Sequence, residues 1–468
     1  MTNKTRQVAL TMSAVGSLWA ATPGLAQESE TIRELKSQVQ ELDQKLRVVE
    51  RRLELERETA SEKSKSTPVI SAGAGGFSFR SADTNFVLKL RGYVQADSRW
   101  FIDDGIDAND TFLLRRVRPI FEGTVFDKYD FRVMLDFGSG VSSSAANNGF
   151  LQDAYLNARF LPQLQLQFGK FKEPVGLERL QSGANLLFVE RAYPTQLLPN
   201  RDAGVLLHGD LLSGALNYAV GIFNGVADGG SGDLETADDE KDGAARLFVQ
   251  PFRHTETALK GLGVGIAGTY GNQEGALRSF VSPGQQRFFA YRTSTAATAP
   301  NVEADGDHIR LTAQGYYYWG PLGIYGEYAI SSQDVRQVGG GAGAGSTAEL
   351  RHTAWQVAAS RVLTGEENSW RGITPKRLFN LSGGGWGAWE IAARYSELDV
   401  DDDAFPIYAN PDTSATSARS WTIGVNWHLN RNVKVNLNYE QTDFEGGPDN
   451  PITAQKEHAV LTRAQLSF

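Results

Sequence analysis

Few side chains in this sequence carry a recognisable reaction chemistry. Cysteine is absent, which excludes thiolate nucleophiles, disulfide scaffolds and thiolate metal sites. The 6 histidines are scattered without an HExxH pair, and no GxxxxGK[ST] loop or GxSxG elbow occurs. No serine, histidine and aspartate stand at a spacing that suggests a nucleophile and its base. What remains is charge. Arg115, Arg116 and Arg118 crowd one short segment with Glu122, and residues 172–201 carry Lys172, Glu173, Glu178, Arg179, Glu190, Arg191 and Arg201. A guanidinium is planar, stays charged at any relevant pH and offers two parallel donors to an oxyanion. Groups of this kind hold anions reversibly.

The elements that must position these cations have a period of two. In 86–100, Phe86, Leu88, Leu90, Val94 and Trp100 take one parity and Lys89, Arg91, Tyr93, Gln95, Asp97 and Arg99 the other. One strand face is apolar and the other charged. The pattern recurs in sixteen segments, ending with 418–429, 432–443 and 457–468. Short connections at 127–128, 161–162, 212–213, 319–320 and 430–431 alternate with long ones at 101–111, 139–149, 172–201, 224–242, 272–307, 332–349, 400–417 and 444–456. Ten-residue alternating strands with one short-turn side fit an all-β transmembrane barrel of 16 antiparallel strands, lipid outside and polar lumen inside. The connection 364–385 is the misfit, being long on the short side. Sixteen strands leave an aqueous lumen, so passive conduction is the expected function. The third long loop, 172–201, is expected to fold inward, because it mixes Leu177, Leu180, Leu186, Leu187 and Phe188 with its charges.

Parity places Arg116 and Arg118 on the face of Glu122, toward the lumen. Arg115 has the opposite parity. It must sit above the lipid band or at a bulge, because arginine facing lipid costs about 2–4 kcal/mol at the midplane.

Upstream of the barrel the organisation changes. Lys4 and Arg6, an apolar stretch at 8–21, and Gly24 and Ala26 before a cleavage point read as a secretory signal peptide over 1–26. Ile32, Leu35, Val39, Leu42, Leu46, Val49 and Leu53 recur at spacings of three and four, an a/d stripe that needs a partner helix. Residues 27–60 are therefore expected to form a coiled-coil neck, 61–76 a flexible linker rich in Ser, Gly and Ala, and 77–468 the barrel.

Several segments in order resemble the phosphate- and polyphosphate-selective porins of Gram-negative outer membranes: 114–123 (LRRVRPIFEG), 168–180 (FGKFKEPVGLERL), 200–209 (NRDAGVLLHG), 221–225 (GIFNG), 363–366 (LTGE), 387–399 (GAWEIAARYSELD) and 424–439 (GVNWHLNRNVKVNLNY). The resemblance implies a homotrimer, a periplasmic coiled coil, no cofactor, and an anion pathway lined by arginines and a lysine cluster. The family's second-strand arginine pair matches Arg115 and Arg116, and its third-loop arginine after glutamate matches Arg191. One family lysine falls on Arg179 and another on Arg351. The first-strand arginine of the phosphate-specific members falls on Tyr93, with Arg91 two residues away on the same face. Arg278, Arg287 and Arg292 are candidates in the fifth loop. The implied partners are phosphate or other small anions.

Composition agrees with a barrel. Gly reaches 49 residues against 16 Pro, and mean hydropathy is −0.33. Past residue 26 no apolar run is long enough for a membrane helix. A formal charge of −9 argues against nucleic acid as a partner. Much of the acid falls in long loops: Asp103, Asp104, Asp107 and Asp110; Asp228, Asp233, Glu235, Asp238, Asp239, Glu240 and Asp242; and Asp399, Asp401, Asp402 and Asp403. Such loops could bridge divalent cations to lipopolysaccharide. Two rival readings are a general diffusion porin without phosphate specificity and an outer-membrane structural tether using the neck alone.

Overall fold

Alternating sequence becomes alternating exposure in the structure. Leu156, Phe168, Ile222, Ile266 and Ile423 point out and are exposed, while the inward Gln356, Asn426, Asn438 and Glu440 are buried. A soluble protein has the reverse arrangement. Here the outer face suits hydrocarbon and the inner face water. The structure, a computed structural model, describes residues 25–102, 108–138, 150–232, 239–341, 343–447 and 456–468. Most of the 1–26 signal segment lies outside the described residues, as do Asp103, Asp104, Asp107, Asp233, Glu235 and Asp238.

The chain divides into two units, Met1–Thr67 and Pro68–Phe468. The first contains one 42-residue helix, Leu25–Ser66. Ion pairs one turn apart, such as Lys45 to Glu41 at 2.7 Å and Arg47 to Asp43 at 3.0 Å, run along it. Its apolar stripe from Ile32 to Leu53 is solvent-exposed throughout. No described helix is long and apolar enough to cross a membrane.

The second unit is a closed antiparallel ring of sixteen strands, from Phe86–Phe101 to Glu457–Ser467. The last strand pairs with the first from Ala459↔Phe101 to Ser467↔Tyr93. Phe468 completes that seam by exchanging two 2.9 Å backbone hydrogen bonds with Gly92.

The expected linker over 61–76 is not one. Helix continues through Ser66, and Val69–Gly73 pairs with Gly76–Arg80 across the turn Ala74-Gly75. The alternating apolar residues Ile70, Phe77 and Phe79 support a strand pair, and Gly76 takes the φ of 93° that a side chain would resist. Gly76–Arg80 then pairs with the first barrel strand from Phe77↔Leu90 to Arg80↔Val87. It occupies the part of that strand's edge that the C-terminal strand leaves free.

Three features depart from the expected loop pattern. Strands Leu262–Ala276 and Pro300–Trp319 extend far into the fifth loop. Between them a hairpin, Phe280–Val281 with Arg287–Phe289, buries Phe280, Phe288 and Phe289 against the third loop. The long connection near 364–385 rises into the lumen, where Trp370 stacks on Tyr316 at 5.8 Å and meets Tyr325 edge-on at 5.6 Å. Its length is what that ascent requires. Asp228, expected among surface loop acids, is turned inward, 2.7 Å from the fully buried Arg310.

Candidate functional site: a basic constriction in the lumen

The third loop leaves strand Leu164–Lys172 and rejoins at Arg201–Leu211. Pro174 lacks an N–H and cannot extend the ladder, so the chain departs there. The loop folds inward, as its apolar content predicts. Val175, Leu177, Leu186, Phe188, Val189, Tyr193, Leu197 and Leu198 are all buried.

Wall side chains serve the loop's backbone around much of the ring. Gln95 Nε2 donates to the Gly183 carbonyl (2.8 Å), Lys434 Nζ to Leu186 (2.9 Å) and Asn426 Nδ2 to Leu187 (2.9 Å). The Val189 N–H donates to Asn438 Oδ1 (2.7 Å), and the Leu177 N–H to the Glu327 carboxylate. Peptide groups with no sheet partner are satisfied this way. From below, Gln181 Nε2 donates to the Trp370 carbonyl at 3.0 Å, joining the loop to the rising connection.

The cations fall into two sets. In the first, carboxylates neutralise them. Arg115 Nε and Nη2 donate to Glu190 at 2.6 and 3.2 Å, Arg118 Nε to Asp136 at 2.7 Å, and Arg201 Nε to Asp153 at 2.7 Å. In the second, neutral oxygens hold them. Arg116 Nη1 donates to Gln95 Oε1 at 2.8 Å. Arg191 donates to the Glu178 carbonyl at 3.1 Å and the Gln181 carbonyl at 2.9 Å. Lys172 Nζ donates to the Gln181 carbonyl at 2.8 Å, and Arg179 Nη2 to the Leu198 carbonyl at 3.4 Å. A carbonyl fixes a guanidinium without cancelling its charge. Burial lowers Arg179 to about 9 and Arg191 to about 10, so both stay protonated at neutral pH.

Arg115 reaches the lumen through a bulge. Gln95 pairs with Arg116 and Ala96 with Leu114, leaving Arg115 unpaired. The parity conflict is thereby resolved, and adjacent arginines both face inward. Arg91 is exposed and pairs with Glu122 at 2.9 Å. Tyr93, at the family's first-strand arginine position, accepts from Arg118 Nη1 at 2.8 Å and so orients that arginine.

Arg351 does not belong to this set. Leu350 and His352 are buried inside, and Arg351 has the outward parity between them. A strand without a bulge cannot turn adjacent residues to one face. Arg351→Ala is therefore expected to leave the reversal potential in a potassium chloride gradient unchanged. A shift toward cations would restore it to the pathway. Of the fifth-loop candidates, Arg278 borders the lumen, whereas Arg292 is tied to the Pro406 carbonyl at 2.9 Å and Arg287 lines none of the cavities described next.

Three cavities adjoin one another in the lumen. An outer one of about 490 Å³ meets Arg115, Arg116, Arg118, Arg179, Arg191, Arg201 and Arg278 against Asp136, Glu190 and Asp228. A middle one of about 360 Å³ shares Arg118 and Arg201 with it and adds Arg132, Lys172 and Arg246, with Asp153 its acid. An inner one of about 500 Å³ shares Tyr93 and Arg132 with the middle one and reaches Arg91, Lys434 and the short turn at 430–432. Basic residues outnumber acidic ones in each.

A profile of the family described as phosphate-selective porin O and P matches residues 88–468. The chain belongs to that family. Porin O of Pseudomonas aeruginosa is 24% identical over 402 residues, covering 79% of this porin and 86% of the relative. The crystal structure of the outer membrane channel DcaP of Acinetobacter baumannii shares the fold at a TM-score of 0.51 and 14% identity, covering 85% of this porin and all of that chain. A loop-deletion mutant of OmpT, an outer membrane protein of Vibrio cholerae, does so at 0.51 and 12%, over 82% of this porin. The porin is thus an outer-membrane channel of the Gram-negative type.

Sequence reading names Arg201 only as one charge of the third loop and passes over Arg246. Arg201 opens its strand directly after the loop, and its place in the NRDAG segment was the available signal. Arg246 sits at inward parity between Ala244 and Phe248, a position that apolar neighbours disguise.

Proposed function

We propose that this porin conducts small anions and binds phosphate at the third-loop constriction. The observation that supports the reading is the set Arg116, Lys172, Arg179 and Arg191, whose charges rest on neutral acceptors. A pore needs sites strong enough to replace water yet weak enough to release the ion. Several moderate sites in series meet both demands. Purified protein in a planar bilayer is expected to prefer chloride over potassium, and its chloride current to fall saturably with added phosphate. Cation preference would refute the reading, and anion preference without phosphate saturation would leave a general anion porin.

We further infer a homotrimer whose neck lies in the periplasm. The exposed a/d stripe supports it, since a helix with one unpartnered apolar face gains by self-association. A peptide of residues 27–60 is expected to sediment as an oligomer, and with Leu42→Asp and Leu46→Asp as a monomer. A monomeric parent peptide would refute the neck.

A further inference from the structure

The middle cavity is lined by two kinds of side chain. Lys172, Arg201, Arg118, Arg132 and Arg246 are cationic, and Met134, Tyr155, Phe171, Leu180 and Leu206 are apolar or aromatic. The outer cavity has no such apolar set, Val281 being its one sizeable apolar side chain. Carboxylates hold Arg118 and Arg201, and Arg132 reaches Asp153 at 3.1 Å. Lys172 and Arg246 have no carboxylate partner among the described residues, and both stand where they can meet a ligand. The Tyr155 hydroxyl has no hydrogen-bond partner among the described residues either, and its ring meets Phe171 edge-on at 5.9 Å.

A hydrated inorganic phosphate gains nothing from an apolar surface. A ligand carrying an apolar group would displace poorly bonded water from it. Cavities of this size that combine apolar side chains with placed polar groups take small organic molecules. We propose that the middle cavity binds organic phosphate monoesters, with its cationic side chains taking the phosphate and its apolar ones the ester group. This rests on the anion-porin reading and names the class of anion its second chamber selects. A phosphate dianion matches Lys172 and Arg246, the two cations of the cavity that no described carboxylate holds.

The test compares phenyl phosphate with methyl phosphate as blockers of chloride current through the full-length protein in planar bilayers. Half-block by phenyl phosphate is expected at a concentration about tenfold lower, the effect of partly burying one ring. Tyr155→Ser and Leu180→Ser should each bring the two blockers together, and Tyr155→Phe, which keeps the ring, should restore the gap. Equal block by the two esters in an anion-preferring wild type overturns this proposal and leaves the porin reading standing. A gap undiminished in both serine variants overturns it too, because the selectivity would then lie elsewhere. Cation preference in the wild type overturns both.

Discussion

Replacing Arg116 and Arg191 together with glutamate is expected to convert the channel from anion-preferring to cation-preferring. Each change moves the local charge by two units. A unit charge about 4 Å from a permeating ion contributes about 4 kcal/mol at an effective dielectric constant near 20. Screening acts over about 8–10 Å in salt solution and is weaker in a narrow lumen. Even a fraction of that energy shifts the permeability ratio by about tenfold or more. Both sites suit the experiment because neither arginine is tied to a carboxylate. Arg116 leans on Gln95, and Arg191 on two loop carbonyls, so no salt bridge is broken, and Glu190, which loses the nearby charge of Arg116, keeps Arg115 and Arg463. The measurement is the reversal potential in a potassium chloride gradient, which should change sign. Arg116→Glu alone should fall between. An unchanged sign in a folded, conducting variant would remove these residues from the constriction.

The barrel was legible because its rule is local. A two-residue period needs nothing beyond the strand itself, and the C-terminal alternation from Val460 to Leu466 survives in the last strand, with Leu461 its one inward apolar exception. The inward third loop was legible for a related reason, since Leu186 and Phe188 need a wall to cover them. Arg115 shows a conflict that pointed to its own solution. An arginine on the lipid parity demanded a place above the lipid band or a bulge, and a bulge is present. What escaped was long-range. The hairpin Val69–Gly73 with Gly76–Arg80 looked like linker because each strand is short and gains its place only from the free edge of the first barrel strand. Asp228 read as surface acid because Arg310, its partner, lies far along the chain. Arg351 read as pathway by resemblance, while its own parity already pointed outward. The resemblance marked a position, and the strand's two-residue period decides its face.

Glu190→Gln is expected to loosen the third loop while keeping the channel anion-selective. Glu190 is the carboxylate through which the loop grips the barrel seam. It takes Arg115 at 2.6 Å and Arg99 at 3.2 Å, with Arg463 at 4.0 Å. Arg463 is itself held bidentately by Asp97 at 2.7 and 2.6 Å. From the other side, Arg394 Nη1 donates to the Glu190 carbonyl at 2.9 Å. Removing one partner from a buried ion pair costs about 3–5 kcal/mol, because the remaining charge is left uncompensated. Here the uncompensated groups are guanidiniums, so the substitution adds positive charge to the outer cavity as it frees the loop. Open-channel noise should rise and the thermal transition should fall, while the reversal potential stays on the anion side. The pH dependence of the same clamp has a definite sign. Burial would raise the Glu190 carboxyl, but Arg115, Arg116 and Arg463 outweigh it and hold the group well below the usual carboxylate range. A carboxylate held low contributes stability that is complete above its unfolded value of about 4.3 and is lost only as pH falls toward the folded value. The Glu190 contact itself should therefore stay intact from about pH 8 down to about pH 5, and the noise that its loss causes should appear in wild type only in stronger acid. A Glu190→Gln channel as quiet as wild type at pH 7 would show that the loop is held without this contact, by its buried leucines and the wall amides alone.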